Sequence, residues 1–275
     1  MSTRAAVVAV CHGGGPMPVM ADPGHAELIQ SMSTTIPKIL GLGTSSAPKA
    51  IVLVTAHWQT KVPTISSASK HDLYYDYGGF PPEAYKLKYD APGSPNVAKE
   101  VYDLLQGAGF RPEMDEERGW DHGVFVPMLL INPPANIPII QVSVLSSSSP
   151  SSHYALGQAL SPLRDQNIAI LGSGMPTFHN LRLMFSGASS NPGVMTRNRQ
   201  WSEQLTEVVK MEDSEKRGRE LEGWRQWVGA KEAHPERGLE HFMPLLVCAG
   251  AAGEGEGEAF GDMMMGTKQY TYYWR

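Results

Sequence analysis

Two histidines of this sequence stand directly after short apolar stretches. His12 follows residues 6–11 (AVVAVC) and precedes a glycine-rich loop, and His57 follows residues 51–56 (IVLVTA). Apolar runs of this length that are rich in β-branched residues predict buried strands. In an open α/β sheet, the loops after such strands form a crevice where functional side chains gather. Because neutral imidazole is a common ligand of transition metals, two histidines at neighbouring strand ends predict part of a metal site.

Four more histidines lie in turns, beyond a strand or near a helix start. They are His122 in the sequence WDHG, His179 beyond the apolar run 168–171, and His234 and His241 ahead of an apolar helix. These positions are far apart in the chain and match neither a zinc-finger nor an H-E-x-x-H pattern. A closed structural zinc site takes several ligands from short local segments, so the long spacing favours an open, enzyme-type site.

The order of the remaining elements predicts one α/β domain that covers residues 1–275. Strands are predicted at residues 50–55, 137–144 and 168–171, and helices at 26–40, 94–106 and 242–248. Strands that alternate with helices predict a central sheet, mostly parallel or mixed, that is flanked by helices. The metal site is expected at the strand ends of this sheet.

Local predictions concern the outer parts of the chain. Short strands are predicted at 62–65 and 110–114, polar outer helices at 201–211 and 214–228, a loop at 253–261 and an edge strand at 270–274. His153 lies at the start of a predicted helix and has no evident partner in the sequence. We therefore predict that it is a surface residue.

Composition excludes several classes of protein. The chain has 23 Lys and Arg residues against 28 Asp and Glu and a net charge of -5, so it lacks the cationic surface that binds nucleic acid. Cys11 and Cys248 both lie in apolar runs, which predicts free thiols in a reducing compartment. No apolar stretch is long enough to span a bilayer, and the amino terminus resembles no signal peptide. A cytoplasmic protein without membrane partners is expected, as a monomer or small homo-oligomer.

Residues 71–82 (HDLYYDYGGFPP) form an aromatic and acidic segment rich in turn residues. Such a segment after a metal-type strand end is a candidate wall of a binding pocket. The alternative is a surface loop that is held in place by buried tyrosines. The sequence alone leaves both interpretations open.

Five separate motifs, in order, resemble the class III extradiol ring-cleaving dioxygenases of the LigB-like superfamily. The motifs are CHGG at 11–14, TAHW at 55–58, WDHG at 120–123 with VP at 126–127, GSG at 172–174 leading to HNL at 179–181, and HP at 234–235 with EHFMPL at 240–245. The resemblance runs from about residue 7 to residue 252 and is greatest to the DOPA 4,5-dioxygenase-like branch. It implies a single αβ domain with a metal ion, usually Fe(II), at the strand ends.

The resemblance also implies roles for individual residues. His12 and His57 match two metal ligands, and His241 matches the third. The broader superfamily has a glutamate in the third place, so Glu240 is an alternative there, and His234 and His179 are the remaining alternatives. Zn(II) can occupy the same kind of site as Fe(II).

For the reaction, the resemblance implies that His179 is the acid/base and that His122 contacts the substrate. Trp58, Tyr77 and Phe80 are expected to line the substrate site together with His122. The implied reaction is extradiol opening of a catechol ring, in DOPA or a related ortho-diphenol, with O2 as the second reactant. Selection of DOPA would require charged partners, for which the nearest charged residues are Asp72, Asp76 and Arg118.

Two other functions fit the same histidines. A zinc hydrolase would use them to activate a bound water and would need a carboxylate base, for which Glu240 and Asp121 are candidates. A protein that binds metal without catalysis is the other alternative. The identity of the metal and the reactivity toward catechols separate these possibilities.

Overall fold

The computed structural model describes residues 4–186 and 191–275. Its strands are β1 (Val7–Cys11), β2 (Ala50–Thr60), β3 (Thr64–Ser66), β4 (Glu113–Asp115), β5 (Ile139–Leu145), β6 (Ile168–Gly174), β7 (Glu258–Met264) and β8 (Thr267–Trp274). Its α-helices are α1 (Ala26–Ile39), α2 (Pro95–Gly107), α3 (His122–Ile131), α4 (Pro150–Leu160), α5 (Leu181–Phe185), α6 (Pro192–Val209), α7 (Ser214–Glu222), α8 (Ala230–Ala233) and α9 (Met243–Ala252). Within these two ranges, none of the helices combines the length and the apolar character needed to cross a membrane.

All eight strands belong to one mixed sheet, in the order β4-β3-β5-β2-β6-β1-β8-β7. The central pairs β5/β2, β2/β6 and β6/β1 are parallel, whereas β8 runs antiparallel to both β1 and β7. Parallel strands need crossover connections, which the intervening helices supply. The predicted α/β fold with a mostly parallel or mixed sheet is confirmed.

Helices cover both faces of the central strands, and this explains their continuous apolar sequences. Helix α9 packs across β6, β1 and β2, and α3 packs on β2 and β6. The glycine at 172 lies 2.6 Å, measured from an ideal Cβ, from the carbonyl oxygen of Pro244 in α9, whereas the next residue, Ser173, donates a hydrogen bond to the carbonyl of Gly123 in α3. Consecutive strand residues thus face the two helical layers, as the pleat requires.

Strand β2 continues past the predicted end at Thr55 and contains a bulge. Thr55 pairs with Ser143 of β5, but the next pair joins Gln59 to Val144. The three residues between them, including His57, therefore have no counterpart on β5. A bulge changes the direction of a side chain and is common beside active sites. His57 lies inside this irregular segment rather than in a loop after the strand.

The carboxyl-terminal region differs from its prediction. The aromatic strand β8 (Thr267–Trp274) lies between β1 and β7, so it is an interior strand and the predicted edge position is wrong. The edge strand is β7 (Glu258–Met264), which begins within the predicted loop at 253–261. Its sequence, EAFGDMM, has a glycine in the middle and no alternation of polar and apolar residues, so it lacks a strand pattern. Helix α7 ends at Glu222, well before the predicted end at residue 228.

His153 is buried, so its prediction as a surface residue is wrong. Its Nδ1 bonds to the carbonyl oxygen of Ser149 at 2.7 Å, and its Nε2 accepts a hydrogen bond from the backbone amide of Leu145 at 2.9 Å. The ring ties the end of β5 to the first turn of α4. Burial lowers the pKa of His153 to about 4. No sequence pattern indicates this role, because both partners are backbone atoms.

We expect His153 to make the folded state less stable in acid. Its pKa in the fold lies below the usual value, so its contribution is complete above about pH 6.5 and is lost as the pH falls toward 4. Between pH 7 and pH 5, the free energy of unfolding of the metal-free protein should fall by about 1–2 kcal/mol more than that of H153Q. Urea unfolding at the two pH values measures this difference. Equal pH dependence in both proteins would contradict it.

Candidate metal centre and active site

Five histidines form one cluster above the central strands. His12 follows β1, His57 lies in the bulge of β2, His122 begins α3, His179 follows β6, and His241 precedes α9. Their ring centroids are 4.9 Å apart for His12 and His57, 5.3 Å for His12 and His241, 4.9 Å for His57 and His241, 3.8 Å for His57 and His122, and 3.6 Å for His179 and His241. The structure thus brings together all three predicted metal ligands and both predicted reaction residues.

Ser173 at the end of β6 fixes the orientation of His12. Its hydroxyl donates to the carbonyl oxygen of Gly123, so it accepts a hydrogen bond from Nδ1 of His12 at 3.1 Å. The proton of His12 is therefore on Nδ1, and the lone pair of Nε2 is free. This is the tautomer that a metal-binding histidine needs, because its second nitrogen is held by an outer partner.

Asp76, from the aromatic segment, contacts two of the rings. One carboxylate oxygen accepts from the ring Nδ1 of His122 at 2.7 Å and from its backbone amide at 3.0 Å. The other lies 3.4 Å from Nδ1 of His57. Burial raises the pKa of Asp76, but the hydrogen bonds from His122 outweigh this and hold the pKa below its usual value. The ionised Asp76 places the proton of His122 on Nδ1, and its second oxygen favours the same tautomer for His57.

Glu240 and Gly238 hold the remaining two rings in the same way. Nδ1 of His241 lies 2.9 Å from the carboxylate of Glu240, and Nδ1 of His179 lies 3.2 Å from the carbonyl oxygen of Gly238. Both partners are acceptors, so both rings carry their proton on Nδ1. Burial raises the pKa of Glu240. Because a carboxylate oxygen of Glu240 is directed at Nδ1 of His241, Glu240 supports that ring from outside the cluster.

The Nε2 atoms of His12 and His57 face each other at 3.3 Å. Ser173 places the proton of His12 on Nδ1, and Asp76 favours the same tautomer for His57. In that tautomer neither Nε2 has a proton to donate, and two lone pairs point at one another. Two nitrogens bound to one tetrahedral ion at 2.0–2.1 Å are about 3.3–3.4 Å apart. The residues therefore fit a metal ion between the two rings.

Burial keeps these imidazoles neutral at physiological pH. It lowers the pKa of His57 to about 3 and that of His179 to about 4, and it holds the pKa of His12 and of His241 well below the usual value. The neighbouring rings of the cluster lower the pKa of His12, His57 and His241 further. Neutral imidazole is the form that binds a metal ion, so the electrostatics of the cluster favour metal binding without release of protons.

The nitrogen and oxygen atoms available for a metal fall into two tight groups. Those of His12, His57 and His122 lie within 4.8 Å of one another, and those of His179, Glu240 and His241 do so as well. By this distance His122 belongs with the first two histidines, whereas the predicted third ligand, His241, belongs with His179 and Glu240. The distances between ring centres distinguish His122 from His241 as a third ligand.

The aromatic segment lies against the cluster. The ring of Tyr77 contacts that of His122 at 5.7 Å and that of Phe80 at 5.5 Å. Phe80 in turn lies 3.1 Å from the ideal Cβ position of Gly15, in the loop after β1. The hydroxyl of Tyr77 donates to the carbonyl oxygen of Ala84, so the ring of Tyr77, and not its hydroxyl, contacts the cluster. This placement favours a pocket wall over a surface loop.

Two predicted residues have other surroundings. The ring of Trp58 lies over the guanidinium of Arg118 at 5.3 Å, as expected for the neighbour of His57 on the opposite side of a strand. His234 lies among Trp201, Trp224 and Phe242, with ring centroids 4.9–5.8 Å away. Burial lowers its pKa to about 3. Neither residue belongs to the group of five rings.

The residues that orient the rings were not predicted from the sequence. Ser173 was noted only as part of a glycine motif, Asp76 only as a possible partner of a charged substrate, and Gly238 not at all. Their contacts join segments about 46 to 161 residues apart. The one available signal was the short sequence from Glu240 to His241, in which a carboxylate stands next to a candidate ligand.

Comparisons with known proteins agree with this site. Residues 9–272 match the family described as the catalytic LigB subunit of aromatic ring-opening dioxygenase. Dioxygenase tasH of Hapsidospora irregularis is 50% identical over 99% of this chain and 87% of its own length. A 4,5-DOPA dioxygenase extradiol of Beta vulgaris is 40% identical over 76% of this chain and 75% of its own. A crystal structure of an uncharacterized protein from Escherichia coli K12 has a TM-score of 0.72 at 26% identity, and the match covers 99% of this chain and 100% of that one.

The fold and the cluster of imidazoles fit the non-haem, metal-dependent enzymes of this family. The chain belongs to the LigB family and is an extradiol ring-opening dioxygenase of the DOPA dioxygenase-like kind. The resemblance seen in the sequence is confirmed. Such enzymes act on a small molecule together with O2.

Replacement of the converging rings should remove metal binding. We expect H12A, H57A and H241A each to lose at least tenfold in affinity for Zn(II), because each removes one of three nitrogen ligands. H234N is the matched control, since it changes a buried histidine that lies among Trp201, Trp224 and Phe242, and it should leave one ion bound per chain. Competition with a chromogenic chelator measures the affinities. Unchanged affinity in H241A, or loss in H234N, would show that the ligands are assigned wrongly.

Proposed function

We propose that this protein opens the ring of a catechol by extradiol cleavage and that His12, His57 and His241 hold one Fe(II) ion for the reaction. The observation that carries the proposal is that Nε2 of His12 and Nε2 of His57 face each other at 3.3 Å, with Nδ1 of each ring directed at an oxygen atom. Such an arrangement is repulsive unless a cation lies between the lone pairs. Zn(II) suits the same nitrogen ligands and can occupy the site in place of iron.

The spacing of the rings favours His241 over His122 as the third ligand. Three imidazoles bound to one ion at 2.0–2.1 Å have ring centres about 5 Å apart. The rings of His12, His57 and His241 are separated by 4.9, 5.3 and 4.9 Å. The rings of His57 and His122 are only 3.8 Å apart, which is too close for two ligands of the same ion.

His179 is the proposed acid/base. It stacks on His241 at 3.6 Å, which places it beside the proposed metal position without making it a ligand. Because burial lowers its pKa to about 4, its Nε2 is unprotonated at neutral pH and can accept the proton of a substrate hydroxyl. The bond from Nδ1 to Gly238 fixes the ring in this orientation.

His122 is the proposed substrate contact on the opposite side. Asp76 holds its Nδ1 proton, so Nε2 is directed into the site as an acceptor for the second hydroxyl of a catechol. A bound ferrous ion supplies the path for electrons from the aromatic ring to O2. The protein residues position the two hydroxyls and hold their protons.

Tyr77 and Phe80 are the proposed wall for the aromatic ring. Their edge-to-face contact at 5.5 Å extends from His122 to the glycine loop at Gly15. Aromatic faces suit a planar substrate ring. Glycine at residue 15 allows the ring of Phe80 to approach the loop closely.

Two of the three charged residues considered for selection of DOPA have partners within the protein. Asp76 bonds to His122, and Arg118 bonds to Asp121 and lies 4.8 Å from the ring of Tyr74. Only Asp72 is exposed and without such a side-chain role. We therefore propose a catechol as the substrate class, with DOPA or a related ortho-diphenol as the candidates.

The candidate carboxylate bases of a zinc hydrolase are not placed for that reaction. Asp121 is fully buried and accepts from Thr55, Arg118 and Gln141. Glu240 is engaged by His241. Family membership likewise favours the dioxygenase over a hydrolase or a non-catalytic metal-binding protein. The cytoplasmic location and the monomer or small homo-oligomer stay predictions.

Oxygen uptake tests the proposed function. Protein loaded with Fe(II) under anaerobic conditions should consume one O2 per catechol opened and produce a yellow ring-opened semialdehyde, whereas the zinc-loaded protein should consume none. A panel of DOPA, dopamine, caffeate and protocatechuate identifies the substrate class. Hydrolysis of esters or amides by the zinc form, without oxygen uptake by the iron form, would contradict the proposal.

Removal of the His179 ring should separate catalysis from metal binding. We expect H179A to retain the bound metal and to lose about 10²–10⁴-fold in kcat, because it removes a general acid/base. Metal content by elemental analysis and turnover by oxygen uptake are measured on the same sample. Loss of the metal would show that His179 is a ligand, and wild-type turnover would exclude it from the reaction.

A further inference from the structure

The bulge in β2 leaves both backbone groups of His57 without partners on the neighbouring strand β5. Its amide donates to the hydroxyl of Thr55 at 3.2 Å, and its carbonyl oxygen accepts from the guanidinium of Arg118 at 3.2 Å. A buried backbone group needs a partner, so these two side chains decide which conformation the bulge adopts. The direction of the His57 ring follows from that conformation.

Both side chains are held by the same carboxylate. Asp121 accepts from the hydroxyl of Thr55 at 2.8 Å through one oxygen and from Arg118 at 3.1 Å through the other. The second oxygen also accepts from the amide of Gln141 at 2.8 Å. Asp121 is completely buried, and a buried carboxylate with three donors in fixed positions is a rigid anchor.

Gly123, which follows His122, shows how closely the start of α3 fits against β2. A Cβ on Gly123 would lie 2.6 Å from the hydroxyl of Thr55, 3.1 Å from Asp121 and 3.1 Å from the ring of His57. The carbonyl oxygen of Gly123 also accepts from Ser173, which orients His12. The residues on either side of His122 therefore contact the supports of both strand histidines.

We propose that Asp121 is a positioning residue: through Thr55 and Arg118 it holds the bulge of β2 in the one conformation that directs Nε2 of His57 at the metal. Arg118 is fixed for this role by the rings of Trp58 at 5.3 Å and Tyr74 at 4.8 Å, which lie against its guanidinium. This assigns a function to Trp58, which supports the arginine that supports the ligand. The inference rests on the proposed metal site.

Substitution of Asp121 by asparagine tests the anchor. The amide oxygen of D121N can still accept from Thr55, but its NH2 group faces the donors of Arg118 and Gln141, so the support of the His57 carbonyl is lost. We expect the affinity for Zn(II) to fall about 10–100-fold, as is typical when an outer partner of a ligand is removed. The absorption spectrum of the Co(II)-loaded protein should also change, because the geometry at the metal changes.

Two further variants keep the test decisive if D121N folds poorly. T55V has the shape of threonine without the hydroxyl and should lose affinity like D121N, whereas T55S retains the hydroxyl and should bind like the wild type. D262N is the matched control, because it also changes a buried aspartate that accepts from a serine, Ser31, but lies in the edge strand β7. It should leave zinc affinity and the cobalt spectrum unchanged.

The outcomes distinguish this inference from the proposed function. If the wild-type protein binds no metal, the proposed metal site is wrong. If the wild type binds metal and D121N and T55V bind within twofold of it with the same cobalt spectrum, the metal site stands and the anchor is refuted. Thermal unfolding of the metal-free variants shows whether a variant that loses affinity has also lost the fold. If D121N has lost the fold, the zinc affinities of T55S and T55V decide whether the anchor exists.

Discussion

Each imidazole of the cluster has its Nδ1 proton directed outward at an oxygen atom, and the rest of the site depends on this constraint. The acceptors are Ser173, Asp76, Glu240 and Gly238. Because a neutral imidazole has only one proton, every Nε2 lone pair is left for the interior of the cluster. Burial lowers the pKa of His12, His57, His179 and His241, so these rings stay neutral near pH 7 and the site is electron-rich and ready for a cation.

The fold supplies these acceptors from different layers. Ser173 belongs to the central strand β6, Asp76 to the aromatic segment, and Glu240 and Gly238 to the turn before α9. Every ring except that of His241, which is held by its chain neighbour Glu240, is therefore fixed by an element other than its own. The positions of the histidines therefore depend on the packing of α3 and α9 on the two faces of the sheet. This dependence explains how the side chains of the site can be held rigidly.

The sequence predicted the central part of the molecule well. The apolar runs before His12 and His57 specified buried strands, and their order with the helices specified a sheet flanked by helices. The positions of five histidines then followed from the strand ends and from the family motifs. The bulge around His57 was not predictable, because it depends on the register of β2 against β5 and on a carboxylate 64 residues further along the chain, at Asp121.

Other differences have similar causes. His153 was predicted at the surface because its two partners, Ser149 and Leu145, contribute only backbone atoms. Strand β7 was predicted as a loop because Gly261 and the three glycines before the strand conceal a pairing that β8 determines. Long-range contacts of this kind leave no local pattern. Charged residues such as Asp76 were visible in the sequence, but their partners were not.

The most direct test of the account is the position of the metal itself. Anomalous diffraction from crystals of the zinc-loaded protein should locate one ion at about 2.0–2.1 Å from Nε2 of His12, His57 and His241. His122 and His179 should flank this ion without binding it. An ion bound by His122 together with His12 and His57, with His241 turned away, would contradict the account.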